Sequence, residues 1–274
     1  MASTHSSFTG SIPEIYDAHL GPMLFEFSAK DLANRVKDKI SAESKVLEVA
    51  CGTGISTHYL REALPQNVHI TATDLNPAML DFAKNKHANL SGVTFEIADA
   101  LSLPFDDQVF DAVICQFGIM FFPDKSEGLS EMARTLKPGG ILAFNVWDSM
   151  EQNRSVALAH ETITSFFEID PPQFLTTPFG FYDVDHIKSL ITKTGFTNIE
   201  SHIVSETVEG LDATHIAKGF VEGNPGVIEI NERATVEVSL VTKATADALE
   251  KAYGSSPLEV KFQEIVFTAI KPVV

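Results

Sequence analysis

One short segment of the chain combines an acid with a glycine turn in a way that suits ligand binding. Residues 46–54 read VLEVACGTG, an apolar strand that contains Glu48 and leads directly into Gly52-Thr53-Gly54. A helix is predicted to follow, because apolar residues recur there at helical spacing. The turn would then lie at a helix N-terminus, where backbone N–H groups and the helix dipole favour anionic groups.

The same segment argues against a dinucleotide and for a ligand that carries positive charge. Dinucleotide sites have the pattern G-x-G-x-x-G/A; Gly52 and Gly54 fit it, but the third position is Thr57. A carboxylate at Glu48 would also repel a pyrophosphate. It suits an ammonium and a sulfonium, and S-adenosylmethionine (SAM) has both, together with a carboxylate for the helix end. A purely structural, hydrogen-bonded role for Glu48 is the alternative, because a charge inside an apolar strand needs a partner.

Composition favours a small-molecule ligand. The chain has 274 residues, 44% of them apolar, and a formal net charge of −17, which disfavours DNA, RNA and anionic membranes as partners. Cys51 and Cys115 are predicted to be buried small hydrophobes rather than a disulfide, which favours a reducing compartment. We find no secretory signal pattern and no apolar window long enough to span a membrane, so we expect a soluble, cytoplasmic protein.

Apolar runs alternate with helical patterns over the first half of the chain, which predicts a parallel sheet wrapped by helices. A helix, a sixth strand at 199–204, two helices around residues 224–226 and a last strand at 259–270 follow. We therefore predict the α/β class, with a Rossmann-like sheet of seven strands sandwiched by helices and the last strand antiparallel between the fifth and the sixth. The first five predicted strands cover residues 45–49, 69–73, 93–97, 110–115 and 141–146.

The predicted organisation is a core with helical additions. Residues 1–40 are predicted to form an N-terminal helical cap segment and residues 41–148 the SAM-binding core. Residues 149–274 would complete the sheet and add cap segments at about 149–182 and 208–256. We expect the caps to lie over the carboxyl edge of the sheet, where ligands bind in open α/β folds.

Four motifs, taken in their order and spacing, make the chain resemble a known enzyme family. They are VLEVACGTG, ITATDLNPAML, FEIADALSLPF, and FDAVICQFGIMFFPD followed by LKPGGILAFNVW. With them the chain resembles the class I SAM-dependent methyltransferases, specifically the small-molecule group similar to the ubiquinone and menaquinone biosynthesis methyltransferases (the methyltransferase type 11 group). The resemblance runs from about residue 12 to the C-terminus, and it implies SAM as the cofactor.

The resemblance also implies cofactor roles for residues at the ends of the predicted strands. Asp74 would accept hydrogen bonds from both ribose hydroxyls, with a helix N-cap or turn acid as the alternative. Asp99 would accept from the adenine amino group while the following backbone N–H donates to the ring, unless it is a solvated loop acid. Leu75 and Met79 would pack against the adenine, although Met79 also suits plain helix core. The predicted cofactor set is completed by Tyr16, Glu48, Ala50, Cys51, Gly52, Thr53, Gly54, Ala100, Leu101, Gln116 and Phe117.

Aromatic residues are the candidates for the acceptor side of the site. Tyr16 matches a tyrosine of the N-terminal segment that closes over SAM in similar enzymes, with packing of the first helix as the alternative. Phe121 and Trp147 are predicted to line an apolar substrate pocket, although aromatics at such spacings are often core. No metal site is predicted. The catalytic residue stays unassigned, because no motif supports any candidate base, namely His19, His160, His215 or Tyr16.

We predict an enzyme that transfers a methyl group from SAM by in-line displacement to a small, apolar or aromatic metabolite, at O, N, C or S. Residues 116–119 read QFGI, where nucleic-acid and protein-glutamine amino-methyltransferases carry Asn/Asp-Pro-Pro-Tyr/Phe, so those substrates are disfavoured. One alternative is a protein that binds SAM or S-adenosylhomocysteine (SAH) without transfer activity, as a regulatory or partner subunit. Another is a nucleotide-dependent reductase, which Thr57 and Glu48 disfavour. The sequence does not indicate the oligomeric state.

Overall fold

The computed structural model describes residues 8–273 and has a seven-stranded sheet at its centre. In chain order the strands are β1 Lys45–Val49, β2 His69–Asp74, β3 Val93–Ile97, β4 Phe110–Gln116, β5 Leu136–Trp147, β6 Thr197–Leu211 and β7 Leu258–Ile270. Their spatial order is β3-β2-β1-β4-β5-β7-β6. The first five are parallel, and β7 runs antiparallel between β5 and β6. The predicted fold class and the antiparallel insertion are confirmed.

Helices cover both faces of this sheet and its carboxyl edge. None of the helices between residues 8 and 273 is long and apolar enough to cross a membrane. A π-helical segment, Tyr16–Phe25, connects the first two helices. The helices are α1 Ile12–Ile15, α2 Glu26–Lys37, α3 Ile55–Ala63, α4 Pro77–Lys86, α5 Lys125–Thr135, α6 Arg154–Thr164, α7 Val184–Lys193, α8 Ala213–Glu222, α9 Gly226–Arg233 and α10 Val238–Tyr253.

The core lies on both sides of the parallel strands. Val46 packs in a cluster with Leu32 of α2, whereas its neighbour Leu47 belongs to the cluster that contains Leu129 of α5. Because strands covered on both faces bury every side chain, they read as continuous apolar runs in the sequence. Cys51 and Cys115 are buried free thiols, as predicted.

Boundaries in the C-terminal half differ from the predicted ones. β6 spans Thr197–Leu211 rather than 199–204, because it pairs with β7 along nearly its whole length. It lies at the edge of the sheet, where many of its side chains face solvent and no apolar run marks it. After it come three helices, α8, α9 and α10, rather than two, because the second predicted helix is interrupted. α9 ends at Arg233, Ala234 has a left-handed φ of 50°, and α10 begins at Val238.

The N-terminal segment, defined here as residues 12–25, packs between the sheet and the C-terminal helices. A Cβ on Gly219 of α8 would lie 2.6 Å from Cδ2 of Leu20, so the absent side chain makes room for this segment. On the other side Lys86 Nζ of α4 donates to Asp17 Oδ1 at 2.6 Å. Of the predicted N-terminal cap segment, residues 1–7 lie outside the described residues, and the remainder comprises α1, the π-helical segment and α2.

Candidate functional site

The turn after β1 contains glycine because of its backbone conformation and a close neighbour. Gly52 has a φ of 57° and Gly54 a φ of 79°, in the left-handed region that favours glycine. A Cβ on Gly54 would lie 2.6 Å from Cδ2 of His87, which follows α4 and packs against the turn. Since Gly54 is also the N-cap of α3, the turn presents backbone groups at the N-terminus of that helix.

Glu48 has one engaged carboxylate oxygen and one that makes no hydrogen bond within residues 8–273. It is fully buried in β1, and Thr57 Oγ1 donates to its Oε2 at 2.6 Å. Its Oε1 is the oxygen without a partner. Burial raises the pKa of Glu48 to about 7, although the Thr57 hydroxyl offsets part of the effect. A buried acceptor left unsatisfied is costly, so this oxygen fits the ammonium group of SAM.

Asp74 ends β2 beside the turn and fixes its shape. Its Oδ2 accepts from the backbone N–H of Gly52 at 2.9 Å, and its Oδ1 accepts from that of Asn76 at 2.7 Å. The N-cap of α4 is Asn76, whose Oδ1 accepts from the Ala78 N–H at 3.0 Å, so Asp74 itself does not cap the helix. Burial raises the pKa of Asp74, and these backbone donors oppose the shift. Each carboxylate oxygen can accept a further hydrogen bond, which suits ribose hydroxyls.

Two exposed apolar side chains and an acid lie at the carboxyl ends of β2 and β3 or directly after them. Leu75 is 56% exposed and Ile97, whose partner in β2 is Asp74, is 57% exposed. Asp99 Oδ1 accepts from the Leu101 N–H at 2.9 Å, so that backbone donor is already engaged. Met79 is only 3% exposed and lies below the turn, which agrees with helix core. Leu75 and Ile97 therefore offer the accessible apolar surface for a planar base.

The end of β4 connects the core to the N-terminal segment. Gln116 Nε2 donates to the carbonyl oxygen of Phe25 at 3.0 Å, while its Oε1 is buried and makes no hydrogen bond to a described residue. Phe117 has a φ of 50°, and its N–H donates to Asn145 Oδ1 at 3.0 Å. Gln116 thus reaches the space over the glycine turn, and Phe117 reaches the neighbouring aromatic space.

Two chambers meet at a pair of stacked rings. The first chamber lies over the glycine turn and includes Glu48 and Gln116 in its lining. The second chamber lies beside it, and its lining includes Leu20 and Leu24 of the N-terminal segment and Phe220 of α8. Tyr16 and Phe25 line both chambers, with ring centroids 4.7 Å apart and planes at 18°. Seven predicted cofactor residues line the first chamber, namely Tyr16, Glu48, Ala50, Cys51, Gly52, Thr53 and Gln116.

The wall of the second chamber is built from stacked aromatic rings. Phe117 and Trp147 stack with centroids 4.0 Å apart and planes at 7°. Trp147 in turn stacks on Phe179 at 5.7 Å, and Phe121 stacks on Phe174 at 6.0 Å. The two predicted acceptor contacts, Phe121 and Trp147, therefore both face this chamber.

The lining of the second chamber carries no charged side chain among the described residues. Its polar members are Tyr16 and Asn224. The Asn224 amide is occupied within the protein, because its Nδ2 donates to the Phe220 carbonyl at 2.7 Å and its Oδ1 accepts from the Gly226 N–H at 2.9 Å. A cavity lined mostly by apolar and aromatic side chains suits an apolar or aromatic molecule.

The candidate bases do not form a catalytic group. His19 and His215 pack against each other with ring centroids 4.3 Å apart, and neither they nor His160 lines the two chambers. Burial lowers the pKa of both His19 and His160. Tyr16 does line both chambers, but burial and then Asp74 raise its pKa, so it is a neutral phenol at pH 7. Within residues 8–273 no three His, Cys, Asp or Glu side chains are grouped so as to hold a metal ion.

Comparison with known proteins identifies the family. A profile described as a methyltransferase domain matches residues 46–140. A demethylmenaquinone methyltransferase of Staphylococcus epidermidis is 32% identical over 196 residues, which are 66% of this chain and 77% of the relative. The chain belongs to the class I SAM-dependent methyltransferases. It is of the quinone-biosynthesis type and uses SAM; a demethylmenaquinone methyltransferase of Deinococcus radiodurans is 48% identical over 101 residues, 36% of this chain and 42% of that protein.

Solved structures share the fold of this methyltransferase. Phosphoethanolamine N-methyltransferase 2 of Haemonchus contortus, in complex with SAM, aligns with a TM-score of 0.60 at 17% identity, covering 95% of this chain and 57% of that one. The YcgJ protein of Bacillus subtilis aligns with a TM-score of 0.59 at 17% identity, covering 90% of this chain and 100% of that one. At such identities the likeness concerns the fold alone.

The structure adds residues that the sequence motifs did not reveal. Thr57 departs from the dinucleotide pattern, and the structure shows that its hydroxyl binds Glu48. Phe25 closes both chambers and His87 supports the turn, yet neither lies in a recognisable motif. Asn145 lies within the last motif, where a polar residue inside an apolar strand was the available signal.

Proposed function

We propose that this methyltransferase acts on a small acceptor that is apolar or aromatic. The observation that carries the proposal is the uncharged aromatic chamber that shares Tyr16 and Phe25 with the chamber over the glycine turn. A charged acceptor would lose its hydration there without gaining a partner. The relatives are named for demethylmenaquinone, an apolar aromatic compound. A quinone-like or other fused aromatic acceptor is therefore the class that the chamber suits.

In this proposal the residues at the carboxyl ends of β1, β2 and β4 hold SAM. Bound SAM supplies a methyl group that its positively charged sulfur already activates for displacement. Glu48 Oε1 accepts from the methionine ammonium, Asp74 accepts from the ribose hydroxyls, and the N-terminus of α3 favours the carboxylate. Contacts to the adenine would come from Leu75 and Asp99. The other cofactor contacts proposed are Tyr16, Ala50, Cys51, Gly52, Thr53, Gly54, Met79, Ala100, Leu101, Gln116 and Phe117.

The remaining task of the protein is to orient the acceptor and exclude water. The hydrogen bond from Gln116 to Phe25 and the ion pair between Asp17 and Lys86 hold the N-terminal segment against the core. This placement keeps the rings of Tyr16 and Phe25 at the junction of the chambers. Orientation of two reactants can contribute about 7–11 kcal/mol to a bimolecular reaction. We assign no base.

The acceptor class can be tested by comparing initial rates with labelled SAM. Small naphthoquinols and other apolar aromatic acceptors should be methylated with a higher kcat/KM than charged acceptors such as phosphoethanolamine. A clear preference for the charged acceptor would contradict the proposal, because residues 8–273 contribute no charge to the lining of the second chamber.

A charge introduced into the second chamber should affect the acceptor and not the cofactor. Phe121→Glu places a carboxylate beside Phe174, where no cationic side chain in the described lining can pair with it. We expect kcat/KM for an apolar acceptor to fall about 10- to 100-fold, since an unpaired polar group in an apolar site costs at least ~1–3 kcal/mol. The dissociation constant of SAH, measured by calorimetry, should be unchanged.

The matched control for that variant is Phe166→Glu. Phe166 is 36% exposed and lies outside both chambers, so the same change should leave kcat/KM unaltered. Thermal unfolding of both variants checks that each is folded. If Phe121→Glu weakened SAH binding and acceptor turnover equally, the separation of the two chambers would be wrong.

The pH dependence of SAH binding should reveal the role of Glu48. Because the pKa of Glu48 is raised to about 7, its carboxylate becomes increasingly protonated as the pH falls below that value. The ligand ammonium favours the ionised form, so protons compete with binding and affinity is lost as the pH falls through 7. Between pH 8 and pH 6 we expect the dissociation constant of SAH to rise about tenfold.

Glu48→Gln is the variant that checks this assignment. The glutamine amide oxygen can still accept from Thr57, but the side chain cannot ionise. We expect weaker binding of SAH at pH 8 and no tenfold loss between pH 8 and pH 6. A variant that kept the wild-type pH profile would show that another group causes it.

A further inference from the structure

A buried chain of hydrogen bonds runs from β7 to the aromatic wall of the second chamber. The N–H of Phe117 donates to Asn145 Oδ1 at 3.0 Å, and Asn145 Nδ2 donates to Glu264 Oε2 at 2.6 Å. Asn145 is 0% exposed and Glu264 is 3% exposed. The strands that carry them are neighbours, and Glu264 is the residue directly opposite Trp147 in the antiparallel register.

These hydrogen bonds hold the backbone at Phe117 in an unfavourable conformation. Phe117 is not glycine but has a φ of 50°, in the left-handed region that side chains with a Cβ rarely adopt. Its N–H donates a hydrogen bond to Asn145, and its ring stacks on Trp147 with centroids 4.0 Å apart. The position of the Phe117 ring therefore depends on Asn145, and the orientation of the Asn145 amide depends on Glu264.

Glu264 is a group that packing alone does not explain. Its Oε1 is buried and makes no hydrogen bond of good geometry to a described residue, although the Ser28 hydroxyl lies near the carboxylate. A narrow cleft with little free space lies beside it. A buried carboxylate is costly, and an apolar residue of similar volume is often no less stabilising. The other charged groups near it are Asp31 and Arg35 of α2, and, on the same face of β6, Glu206 in the lining of this cleft and His202.

We propose that Glu264 is a positioning residue for the acceptor, acting through Asn145 to fix the Phe117–Trp147 wall of the second chamber. This inference rests on the proposed function, because it assumes that the second chamber holds the acceptor. An ionised Glu264 makes a charge-assisted hydrogen bond to the amide and keeps Asn145 Oδ1 turned toward the Phe117 N–H. Protonation weakens that bond, so the wall is held less firmly.

Ionisation of Glu264 falls in an accessible pH range. Burial raises its pKa to about 7, an effect that Ser28, Asn145 and Arg35 oppose and to which Asp31 adds. The wall should consequently be most ordered above pH 7 and loosen as the pH falls below it. Trp147 is the one tryptophan of the sequence, so its fluorescence reports on this wall directly.

The first experiment is a fluorescence titration of the purified protein between pH 5.5 and 8.5, with no ligand added. The wild type should show a sigmoidal change with a midpoint near pH 7, and Glu264→Gln should abolish it. Glu259→Gln is the matched control, because Glu259 is an exposed glutamate on the same strand, and it should titrate as the wild type does. Retention of the wild-type transition in Glu264→Gln would overturn the proposal.

A second variant, Asn145→Ser, keeps the proposal testable if Glu264→Gln does not fold. Asn145→Ser shortens the link while leaving Glu264 in place, so the transition should also disappear there. Thermal unfolding checks that each variant is folded. If Asn145→Ser is folded and still shows the full transition, Glu264 does not act through Asn145.

Steady-state kinetics at pH 8 then separate positioning from mere stability. With an apolar aromatic acceptor, Glu264→Gln should raise the acceptor KM about 3- to 10-fold. The glutamine oxygen can still accept from Asn145, but the charge that strengthened this hydrogen bond is lost. The KM for SAM should change less than the acceptor KM, and neither constant should change in Glu259→Gln. An unaltered acceptor KM would contradict the proposal and leave the proposed function intact.

Failure of the proposed function would appear differently, as no methylation of apolar acceptors by the wild type. The fluorescence titration would still decide whether Glu264 controls the wall.

Discussion

Asp74→Asn, which replaces one carboxylate oxygen by an NH₂ group, should weaken SAH binding about 100-fold or more. The carboxylate holds the Gly52 and Asn76 N–H groups and offers its remaining acceptor positions to the ribose hydroxyls. An asparagine has one acceptor oxygen, so its NH₂ must face either a backbone donor or a ligand hydroxyl. Hydrogen bonds to charged groups contribute about 1.5–3 kcal/mol each, and two of them are affected.

Calorimetric titration of SAH measures this loss, and Asp106→Asn is its matched control. Asp106 is an exposed acid on the loop that follows β3, so its change should leave the dissociation constant within a factor of about two. Thermal unfolding distinguishes lost contacts from a lost fold. Unchanged affinity in Asp74→Asn, with the protein folded, would remove the ribose assignment.

Gly54→Ala should abolish measurable binding of SAH in the micromolar range. The residue has a φ of 79°, and the added methyl group would lie 2.6 Å from Cδ2 and 3.0 Å from Nε2 of His87. Left-handed backbone costs an alanine about 1–2 kcal/mol, and the imidazole must move in addition. The turn and the N-terminus of α3 would then shift, so the backbone groups that face the first chamber would no longer converge.

Gly195→Ala separates the contact with His87 from backbone strain. Gly195 has a similar φ of 89°, but nothing lies within 4 Å of the position of its Cβ. It should lose about 1–2 kcal/mol of unfolding free energy from the same strain and retain wild-type affinity for SAH. The double variant Gly54→Ala/His87→Ala should recover part of the binding. Equal loss of affinity in Gly54→Ala and Gly195→Ala would show that global stability, not the turn, limits binding.

The parallel half of the sheet could be predicted because its signal is local. β1, β2, β4 and β5 are largely buried on both faces, so each appears as an apolar run between turn residues. β3 lies half-exposed at the other edge of the sheet, and the turn residues around it and its spacing from β2 indicated it. β6 could not be bounded in this way, since at the edge of the sheet its length is set by pairing with β7 rather than by its own apolar residues. The division between α9 and α10 could not be predicted for a related reason, because tertiary contacts rather than a local pattern determine where one helix ends and the next begins.

The same contrast holds for the site. Glu48, Gly52 and Asp74 lie in motifs whose spacing indicates the ligand, and the structure brings them together at one edge of the sheet. Glu264 lies 119 residues from the Asn145 that it contacts, and no local pattern relates the two. Such partners depend on how β7 inserts into the sheet, which the sequence indicates only as topology.

Methyl transfer itself is the claim on which the rest depends, and single-turnover analysis with methyl-labelled SAM tests it most directly. Wild-type protein saturated with labelled SAM and given a small naphthoquinol should convert SAM to SAH and carry the label to the acceptor in equal amounts. Asp74→Asn should do so only at much higher SAM concentration. If the wild type binds SAM tightly, yet no apolar aromatic acceptor gains the label and no SAH forms, the protein is a SAM-binding protein without this transfer activity and the account is contradicted.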